Sequence, residues 1–388
     1  MSKQADQAEP LDSRTGESPL SELRFDHLPL PDVVAQGVRE AGFEYCTPIQ
    51  EAALPIALDG RDVAGQAQTG TGKTAAYLLV VFTRLLEHAG ERRDQPRALI
   101  VAPTRELAIQ IHRDAEQLGA STGLRLGLAY GGVDYDKQRR EIEAGVDILI
   151  GTPGRLIDYF KKKVFHLKSV RAVVLDEADR MFDLGFIKDI RFLLRRCPGP
   201  DQRQSMLFSA TLAYKVTELA YEHMNNPELI KVEVSQVTAR NIDERVYFPA
   251  NPEKLPLLVS LLRSGKDYHA MVFTNTRRAA SDVERILKGN GFSVAMLSGD
   301  VPQQKRQRLL DQFHKGEVSI LVATDVAARG LHIPDVSHVF NYDLPQDAED
   351  YVHRIGRTAR LGATGRAISF ACETYAFLRP EIEEFIGL

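Results

Sequence analysis

Short apolar runs of strand length recur along this chain, and each ends abruptly in a polar cluster. In the first half they are Ala98–Ala102, Leu126–Ala129, Asp147–Gly151, Ala172–Leu175 and Met206–Phe208. In the second half they are Ala270–Phe273, Val294–Leu297, Ile320–Ala323, His338–Phe340 and Ala367–Phe370. Runs this short and this continuously apolar predict strands covered on both faces. Helical periodicity fills the intervals, as over residues 105–118 and 136–144. Strand and helix in alternation give βαβ units, hence a parallel sheet with helices on both faces, here built twice. Pro31 opens a helix predicted to run to Arg39, and Pro48 opens another, because proline suits the first helical turn. Residues 225–256, rich in Asn, Pro, Glu and Val, break the rhythm. The expected organisation is a disordered tail over residues 1–22, a first domain over 23–235, a linker over 236–244 and a second domain over 245–388. The tail is rich in Gln, Asp, Glu, Ser and Pro and has too few large apolar groups to fold.

Ligands of open α/β sheets sit outside the carboxyl ends of the strands. The run Ala172–Leu175 ends there in three carboxylates, Asp176, Glu177 and Asp179. Burying ionised carboxylates costs several kcal/mol or more unless a cation or donors compensate. Taken alone, an apolar run followed by acids is more often a strand leading into a solvated loop. Its partner motif, Ala67-Gln68-Thr69-Gly70-Thr71-Gly72-Lys73-Thr74, changes that reading. Glycines let backbone N–H groups fold around phosphate oxygens, and the helix that follows adds favourable partial charge at its N-terminus. Lys73 can reach the β- and γ-phosphates, and the Thr74 hydroxyl can ligate Mg²⁺. Asp176 then holds the Mg²⁺ through water, and Glu177 is placed to polarise the attacking water. The general pattern has glycine where this chain has Ala67. Gln50 projects from the first turn of its helix with a donor and an acceptor that match the N6 and N7 edge of adenine, although most single glutamines on helices are surface residues.

The other strand ends carry Pro103-Thr104-Arg105-Glu106, Gly131-Gly132, Thr152-Pro153-Gly154-Arg155 and Ser209-Ala210-Thr211. Each alone reads as a cap or turn. Together on one sheet edge, their hydroxyls, helix N-termini and single arginines read as phosphate holders. The second half repeats the pattern with Thr274-Asn275-Thr276, Ser298-Gly299-Asp300 and Thr324–Gly330, but has no Gly-Lys-Thr loop. Its basic stretch His353-Arg354-Ile355-Gly356-Arg357-Thr358-Ala359-Arg360 reads either as a solvated helix end or as arginine reaching the nucleotide of the first domain.

Composition narrows the classes. A chain of 388 residues is comfortable as two domains. There is no apolar run long enough for a membrane span and no basic-then-apolar leader, so a cytoplasmic protein is expected. The 3 cysteines are too far apart for a zinc knuckle or a CxxC site. A net charge of −4 means that any nucleic acid is held by local placement of cations and backbone N–H groups, not by bulk charge. The run Lys161-Lys162-Lys163 reads more readily as a solvated loop than as a nucleic-acid contact.

With these residues the chain resembles the DEAD-box RNA helicases over residues 25–385, Asp176-Glu177-Ala178-Asp179 being the naming tetrad. That family often begins its phosphate loop with alanine. The resemblance implies two tandem RecA-like α/β domains, ATP and Mg²⁺ as cofactors, and hydrolysis coupled to local unwinding of short RNA duplexes. It implies that Phe25 stacks on adenine beside Gln50, and that Gln68, Thr69, Gly70, Thr71, Gly72, Lys73 and Thr74 hold the phosphates. Asp176 and Glu177 serve the metal and the water, and Arg357 and Arg360 complete the site from the second domain. Asp179, Ser209, Thr211 and His353 couple hydrolysis to RNA. The strand path is lined by Pro103, Thr104, Arg105, Gly131, Gly132, Thr152, Pro153, Gly154, Arg155, Thr274, Gln303, Arg306, Thr324 and Arg329. Contacts to phosphate and 2′-OH select RNA without reading sequence.

Within the family, Cys46–Gln50, Asp183–Ile190 and Arg329–Pro334 resemble bacterial members that serve the RNA degradosome, which implies an endoribonuclease scaffold and an exoribonuclease as partners. His332 stands where most members have an aspartate that touches the ribose. Such relatives often continue into a basic tail; this sequence ends at Leu388, so the RNA affinity of that tail is expected to be missing. A non-catalytic ATP-gated RNA clamp would lack Glu177 or the arginines, a DNA translocase usually lacks the Gln50 motif and the full tetrad, and the alternative function kept beside unwinding is an ATP-gated clamp or RNP remodeller with little strand separation.

Overall fold

The computed structural model describes residues 20–67, 70–88, 94–232, 242–264, 268–298, 301, 303–328, 336–358 and 364–386. The apolar runs form two separate sheets, one 7-stranded and one 6-stranded, in which every neighbouring pair is parallel. In domain one the strands are β1 (Val63–Gln66), β2 (Ala98–Val101), β3 (Leu126–Ala129), β4 (Ile148–Gly151), β5 (Ala172–Leu175), β6 (Gln204–Ser209) and β7 (Glu228–Lys231), in the order β3-β4-β2-β5-β6-β1-β7. Its helices are α1 (Asp32–Glu40), α2 (Pro48–Leu58), α3 (Lys73–Glu87), α4 (Arg105–Leu118), α5 (Tyr135–Glu143), α6 (Pro153–Lys161), α7 (Ala178–Asp183), α8 (Ile187–Leu194) and α9 (Tyr214–His223).

Alternate strand residues divide the core into two layers, as the pleat requires. Ile100, Val174, Met206 and Phe208 pack under α1–α4. Leu99, Val101, Val173, Leu175 and Leu207 pack against the opposite set of helices. Each fully buried aliphatic or aromatic side chain contributes about 1.5–3 kcal/mol. Arg97 and Asp147 form an ion pair at 2.9 Å with both side chains 0% exposed, and the guanidinium also donates to the carbonyls of Leu85 and His88. This pair ties the entering ends of β2 and β4 to the end of α3.

Domain two runs β8 (Ile242–Tyr247), α10 (Lys254–Ser264), β9 (Ala270–Phe273), α11 (Arg277–Gly289), β10 (Val294–Leu297), α12 (Gln303–His314), β11 (Ile320–Ala323), α13 (Asp325–Ala328), β12 (His338–Asn341), α14 (Ala348–Ile355), β13 (Gly365–Phe370) and α15 (Arg379–Ile386). Its sheet order is β10-β11-β9-β12-β13-β8.

The parallel register aligns all the strand exits. Ala129, Gly151, Val101, Leu175 and Leu207 lie level across five neighbouring strands, and Gln66 lies level with Ser209. Leu297, Ala323, Phe273 and Asn341 are level in the second sheet. Among the described residues, the polar clusters that follow these strands therefore open onto a single edge of each sheet.

Three boundaries differ from expectation. The second sheet begins at Ile242, inside the segment 236–244 expected as linker, while residues 233–241 lie outside the described residues. Order reaches back past Phe25: the Ser21 amide donates to the Cys46 carbonyl at 2.8 Å, so residues 20–22 are not part of a free tail. The rest of the expected tail, residues 1–19, lies outside the described residues. Pro31 is the N-cap of α1, one position before its first residue.

Candidate functional site

The phosphate loop links β1 to α3. Gly70 and Gly72 have φ of +86° and +89°, a backbone region that L side chains avoid. A Cβ on Gly72 would stand 2.5 Å from Gln50 Nε2. The Gln50 amide closes the loop from outside: its Oε1 accepts from the Thr47 N–H at 2.8 Å, and its Nε2 donates to the Gly72 carbonyl at 3.0 Å. Its second lone pair and second hydrogen are free in number for a ligand. Thr47 Oγ1 is buried with no hydrogen-bond partner and faces the same loop, 3.1 Å from where that Cβ would stand. Gln68 and Thr69 lie outside the described residues.

Lys73 is the first residue of α3, and its Nζ lies 3.8 Å from Asp176 Oδ1, with both side chains buried. Tyr77, one turn along α3, donates its hydroxyl to Asp176 Oδ2 at 2.9 Å. Burial holds the Asp176 carboxyl above the usual carboxylate range; Lys73 opposes this and the Glu177 charge adds to it. Its protein partners thus leave that buried carboxylate short of positive charge, which is the environment a divalent cation completes. Among the described residues no three or more His, Cys, Asp or Glu gather to cage a metal alone. Mg²⁺ needs no such cage, because it binds through one or two carboxylates, substrate phosphates and water. Thr74, Asp176 and a phosphate-bearing ligand at Lys73 fit that donor set. A cleft of about 230 Å³ runs over Gly70, Gly72, Lys73, Thr74, Asp176 and Glu177.

Glu177 has φ +51°, unusual for a residue with a side chain. Its N–H donates to Asp176 Oδ1 at 2.9 Å, which helps to hold the turn. Burial works to raise the Glu177 pKa, but Arg180, Lys73 and Arg357 together outweigh it and hold the carboxyl below its ordinary value. Arg180 Nη1 donates to Glu177 Oε2 at 3.2 Å. Asp179 takes a different job. Its carboxylate accepts from the backbone N–H groups of Ala210 and Thr211 at 3.0 and 3.1 Å, while its own N–H donates to Ser209 Oγ at 3.1 Å. The third acid therefore clamps the loop after β6 to the start of α7.

Phe25, expected to stack on adenine, is only 4% exposed and belongs to the core. Its ring stacks at 6.1 Å on Phe43, which is 42% exposed and lines the cleft. Phe25 and Phe43 together also line an adjoining cleft of about 340 Å³.

Between the domains lies a cleft of about 1060 Å³, lined by Lys73, Glu177, Asp179 and Arg180 on one side and by His353 and Arg357 on the other. Arg357 is buried, and its positive charge acts on Glu177 across this cleft. Arg360 lies outside the described residues. Arg354 supports the same helix end. It donates to both carboxylate oxygens of Asp325 at 2.7 and 2.6 Å, to the Asp343 carbonyl at 2.6 Å and to Asn275 Oδ1 at 2.8 Å. Asp343 in turn pairs with the buried Lys254 and accepts from the Asn275 N–H. Asn275 and Asp325 belong to the polar clusters read after β9 and β11, whereas Lys254 and Asp343 were not singled out from the sequence, because Lys and Asp ordinarily signal surface. Tyr77 and Arg180 were legible in principle, at i+4 from Lys73 and i+3 from Glu177.

On the outer strand ends, Thr104 caps α4 by accepting from the Leu107 N–H at 3.3 Å, and Thr152 is the N-cap of α6. Arg105 packs against Gly131, where a Cβ would stand 3.2 Å from its Nη2. Arg155 donates to Gln138 Oε1 at 3.2 Å and to the Tyr159 hydroxyl at 3.1 Å. Pro103, Gly132, Pro153 and Gly154 share these turns. Thr274 and Thr324 are buried at the exits of β9 and β11. Arg306, expected on RNA, is otherwise engaged: its Nε lies 3.0 Å from Glu106 Oε1 of domain one, and its Nη2 donates to the Ala327 carbonyl. The Gln303 side chain and Arg329 lie outside the described residues.

Residues 47–219 match the DEAD/DEAH box helicase family, and residues 253–362 match the helicase conserved C-terminal domain. The ATP-dependent RNA helicase RhlB of Vibrio parahaemolyticus is 60% identical over 370 residues, covering 95% of this chain and 85% of that relative. Among solved structures, S. cerevisiae Dbp5 bound to RNA and ADP BeF3 superposes with a TM-score of 0.81 at 33% identity, over 94% of this chain and 93% of that one. Mss116p bound to ssRNA and AMP-PNP superposes with a TM-score of 0.84 at 30% identity, over 95% of this chain and 78% of that one. Each superposition takes in both domains at once, so the two sheets face each other here much as they do in those liganded relatives. With two parallel-sheet domains, the phosphate loop and the Asp176–Asp179 tetrad in place, the chain belongs to the DEAD-box family of ATP-dependent RNA helicases.

Proposed function

We propose that this helicase hydrolyses Mg-ATP only when its two sheets close on each other around RNA. The observation that carries the reading is the electrostatic reach of Arg357 to Glu177 across the interdomain cleft. In this reading Gly70, Gly72, Lys73 and Thr74 hold the phosphates, with Gln68, Thr69 and Thr71 completing the loop. Asp176 and Thr74 position Mg²⁺, which supplies charge neutralisation at the phosphates. Adenine lies on Phe43, backed by Phe25, with the spare donor and acceptor of Gln50 on its edge. Glu177, held ionised by its three cations, orients the attacking water. Arg357, with Arg360, stabilises charge on the γ-phosphate from the second domain. Asp179, clamped to the Ser209–Thr211 loop, ties that chemistry to the strand-end edge, and His353 does so from domain two.

RNA runs along the aligned strand exits, touching Thr104, Arg105, Gly131, Gly132, Thr152, Gly154 and Arg155 in domain one, and Thr274, Thr324 and Arg329 in domain two. Closure bends one strand and parts a short duplex, and hydrolysis releases it. The sequence likeness to RhlB supports a cytoplasmic role in RNA decay, with an endoribonuclease scaffold and an exoribonuclease as partners.

Arg357→Ala in the full chain tests the mechanism. RNA-stimulated turnover is expected to fall by about 10³–10⁵-fold with ATP affinity unchanged, as for loss of an arginine finger. Turnover within about threefold of the parent protein would show that closure does not complete the site.

A further inference from the structure

Two of the three exposed lysines in Lys161-Lys162-Lys163 lie over aromatic rings. Lys162 Nζ sits 4.4 Å from the centre of the Tyr135 ring, and Arg155 Cζ sits 5.0 Å from the centre of the same ring. Lys161 Nζ lies 5.7 Å over the Phe192 ring, while Arg196 Cζ covers that ring at 3.4 Å and the Phe160 ring at 5.9 Å. Arg155 stands in the first turn of α6, and the lysines stand at its far end. Cations held on ring faces retain their charge while losing conformational freedom. Aromatic residues thus fix a ridge of like charge that leads away from the strand-exit edge over the length of α6, about 13 Å.

Few acids offset it. Asp158 pairs with Lys162 at 3.6 Å, but among the described residues no carboxylate pairs with Lys161, Lys163 or Arg196. Arg191 and Arg195 belong elsewhere, since both pair with Glu222. The rings under the ridge are partly buried in the core, and the cations lie over their outer faces. The ridge suits a polyanion with regularly spaced charge better than a protein segment.

We propose that Lys161, Lys162, Lys163 and Arg196 form a second RNA contact, which holds the backbone flanking the strand in the central path. At duplex spacing of 3.4 Å per phosphate, 13 Å accommodates about two to four contacts. The proposal rests on the reading of Thr152–Arg155 as an RNA contact, because that places the head of the ridge beside the path.

The test compares oligouridylates of about 6 and about 25 nucleotides, below and above usual single-strand site sizes. The readout is the RNA concentration giving half-maximal ATPase stimulation of the full chain at 50 and 200 mM KCl. Two to four extra contacts at a slope of about 0.7 each make the long RNA about 7- to 50-fold more salt-sensitive than the short one. In Lys161→Gln/Lys162→Gln/Lys163→Gln/Arg196→Gln that difference disappears, with the short RNA unchanged. The charge-keeping variant Lys161→Arg/Lys162→Arg/Lys163→Arg/Arg196→Lys retains it, which separates charge from folding. Equal losses on both RNAs, or no change on the long one, overturn the proposal, even if polyglutamate binding falls. Arg155→Gln serves as the separate control. If it affects neither RNA while the quadruple Gln variant still acts on the long one alone, the ridge stands and the reading of Thr152–Arg155 fails.

Discussion

The ion pair between Glu106 and Arg306 joins the two domains directly, and its contribution can be worked from its geometry. At 3.0 Å and an effective dielectric of 20, the attraction is about 5.5 kcal/mol. The side chains are only 9% and 14% exposed, so desolvation offsets most of that attraction. A coupling of about 1–2 kcal/mol is left, or about 5–30-fold in the closure equilibrium. Glu106→Gln and Arg306→Gln should each reduce RNA-stimulated kcat/KM for ATP by that factor, and the double variant should lose little more than either single one. The assay is a double-mutant cycle on the steady-state ATPase at saturating RNA, with interdomain fluorescence transfer as the direct measure of closure. Helix-dipole loss at Glu106, which lies in the first turn of α4, is only about 0.3–1 kcal/mol and cancels in the cycle. If the two losses simply add, the pair does not couple the domains. If Arg306→Gln also weakens RNA equally in both backgrounds, Arg306 binds RNA and not Glu106.

Other substitutions probe the site itself. Glu177→Gln should leave ATP and RNA binding intact while lowering turnover by about 10²–10⁴-fold; near-normal single-turnover hydrolysis would move water activation to another residue. Gln50→Ala should weaken ATP more than GTP in competition binding and, through loss of the cap on α2, cost about 1 kcal/mol of stability; equal losses for the two nucleotides would make Gln50 purely structural. Burial, opposed by Gln110 and Arg113, pushes the Asp114 carboxyl up to about 6 from an ordinary 3.8. The folded state therefore holds that proton more tightly than the unfolded chain, and stability falls as pH rises from about 4 to 6. Asp114→Asn should remove this slope and add up to about 3 kcal/mol at pH 7, read by urea denaturation across that range; an unchanged slope would refute it.

The central strands could be read from the sequence because they are buried on both faces and have no room for polar residues. Ala172–Leu175, Ala270–Phe273 and Ile320–Ala323 have the bounds that the apolar pattern predicts. Edge strands β7 and β8 could not. Glu-Leu-Ile-Lys and Ile-Asp-Glu-Arg-Val-Tyr leave most positions exposed, so they look like connecting segment. The phosphate loop and tetrad were legible because their spacing is set by local backbone geometry. The closeness of Arg306 to Glu106 was not legible, because nothing local to α12 shows that Glu106 faces it across the domain gap. Buried cations such as Arg97 and Lys254 were invisible for the opposite reason: their partners Asp147 and Asp343 are distant in sequence, and a lone charge reads as solvent-facing. Phe25 and Phe43 differ only in which ring reaches the surface, a matter of packing that composition does not carry.

The strand order of domain one also sets when this protein can begin to work as it is made. β1, which delivers the phosphate loop, lies between β6 and β7. Asp62, at its entrance, accepts hydrogen bonds from Ser205 and Asn225, which follow it by 143 and 163 residues. A ribosome adding about 5–20 residues per second emits the loop about 7–30 s before these partners exist. Through that interval β1 has neither neighbour, and the glycines have no rigid strand to hold them around a phosphate. A nascent chain that carries the whole Gly-Lys-Thr motif is thus still blind to ATP. Nucleotide binding becomes possible only once the first domain is nearly complete.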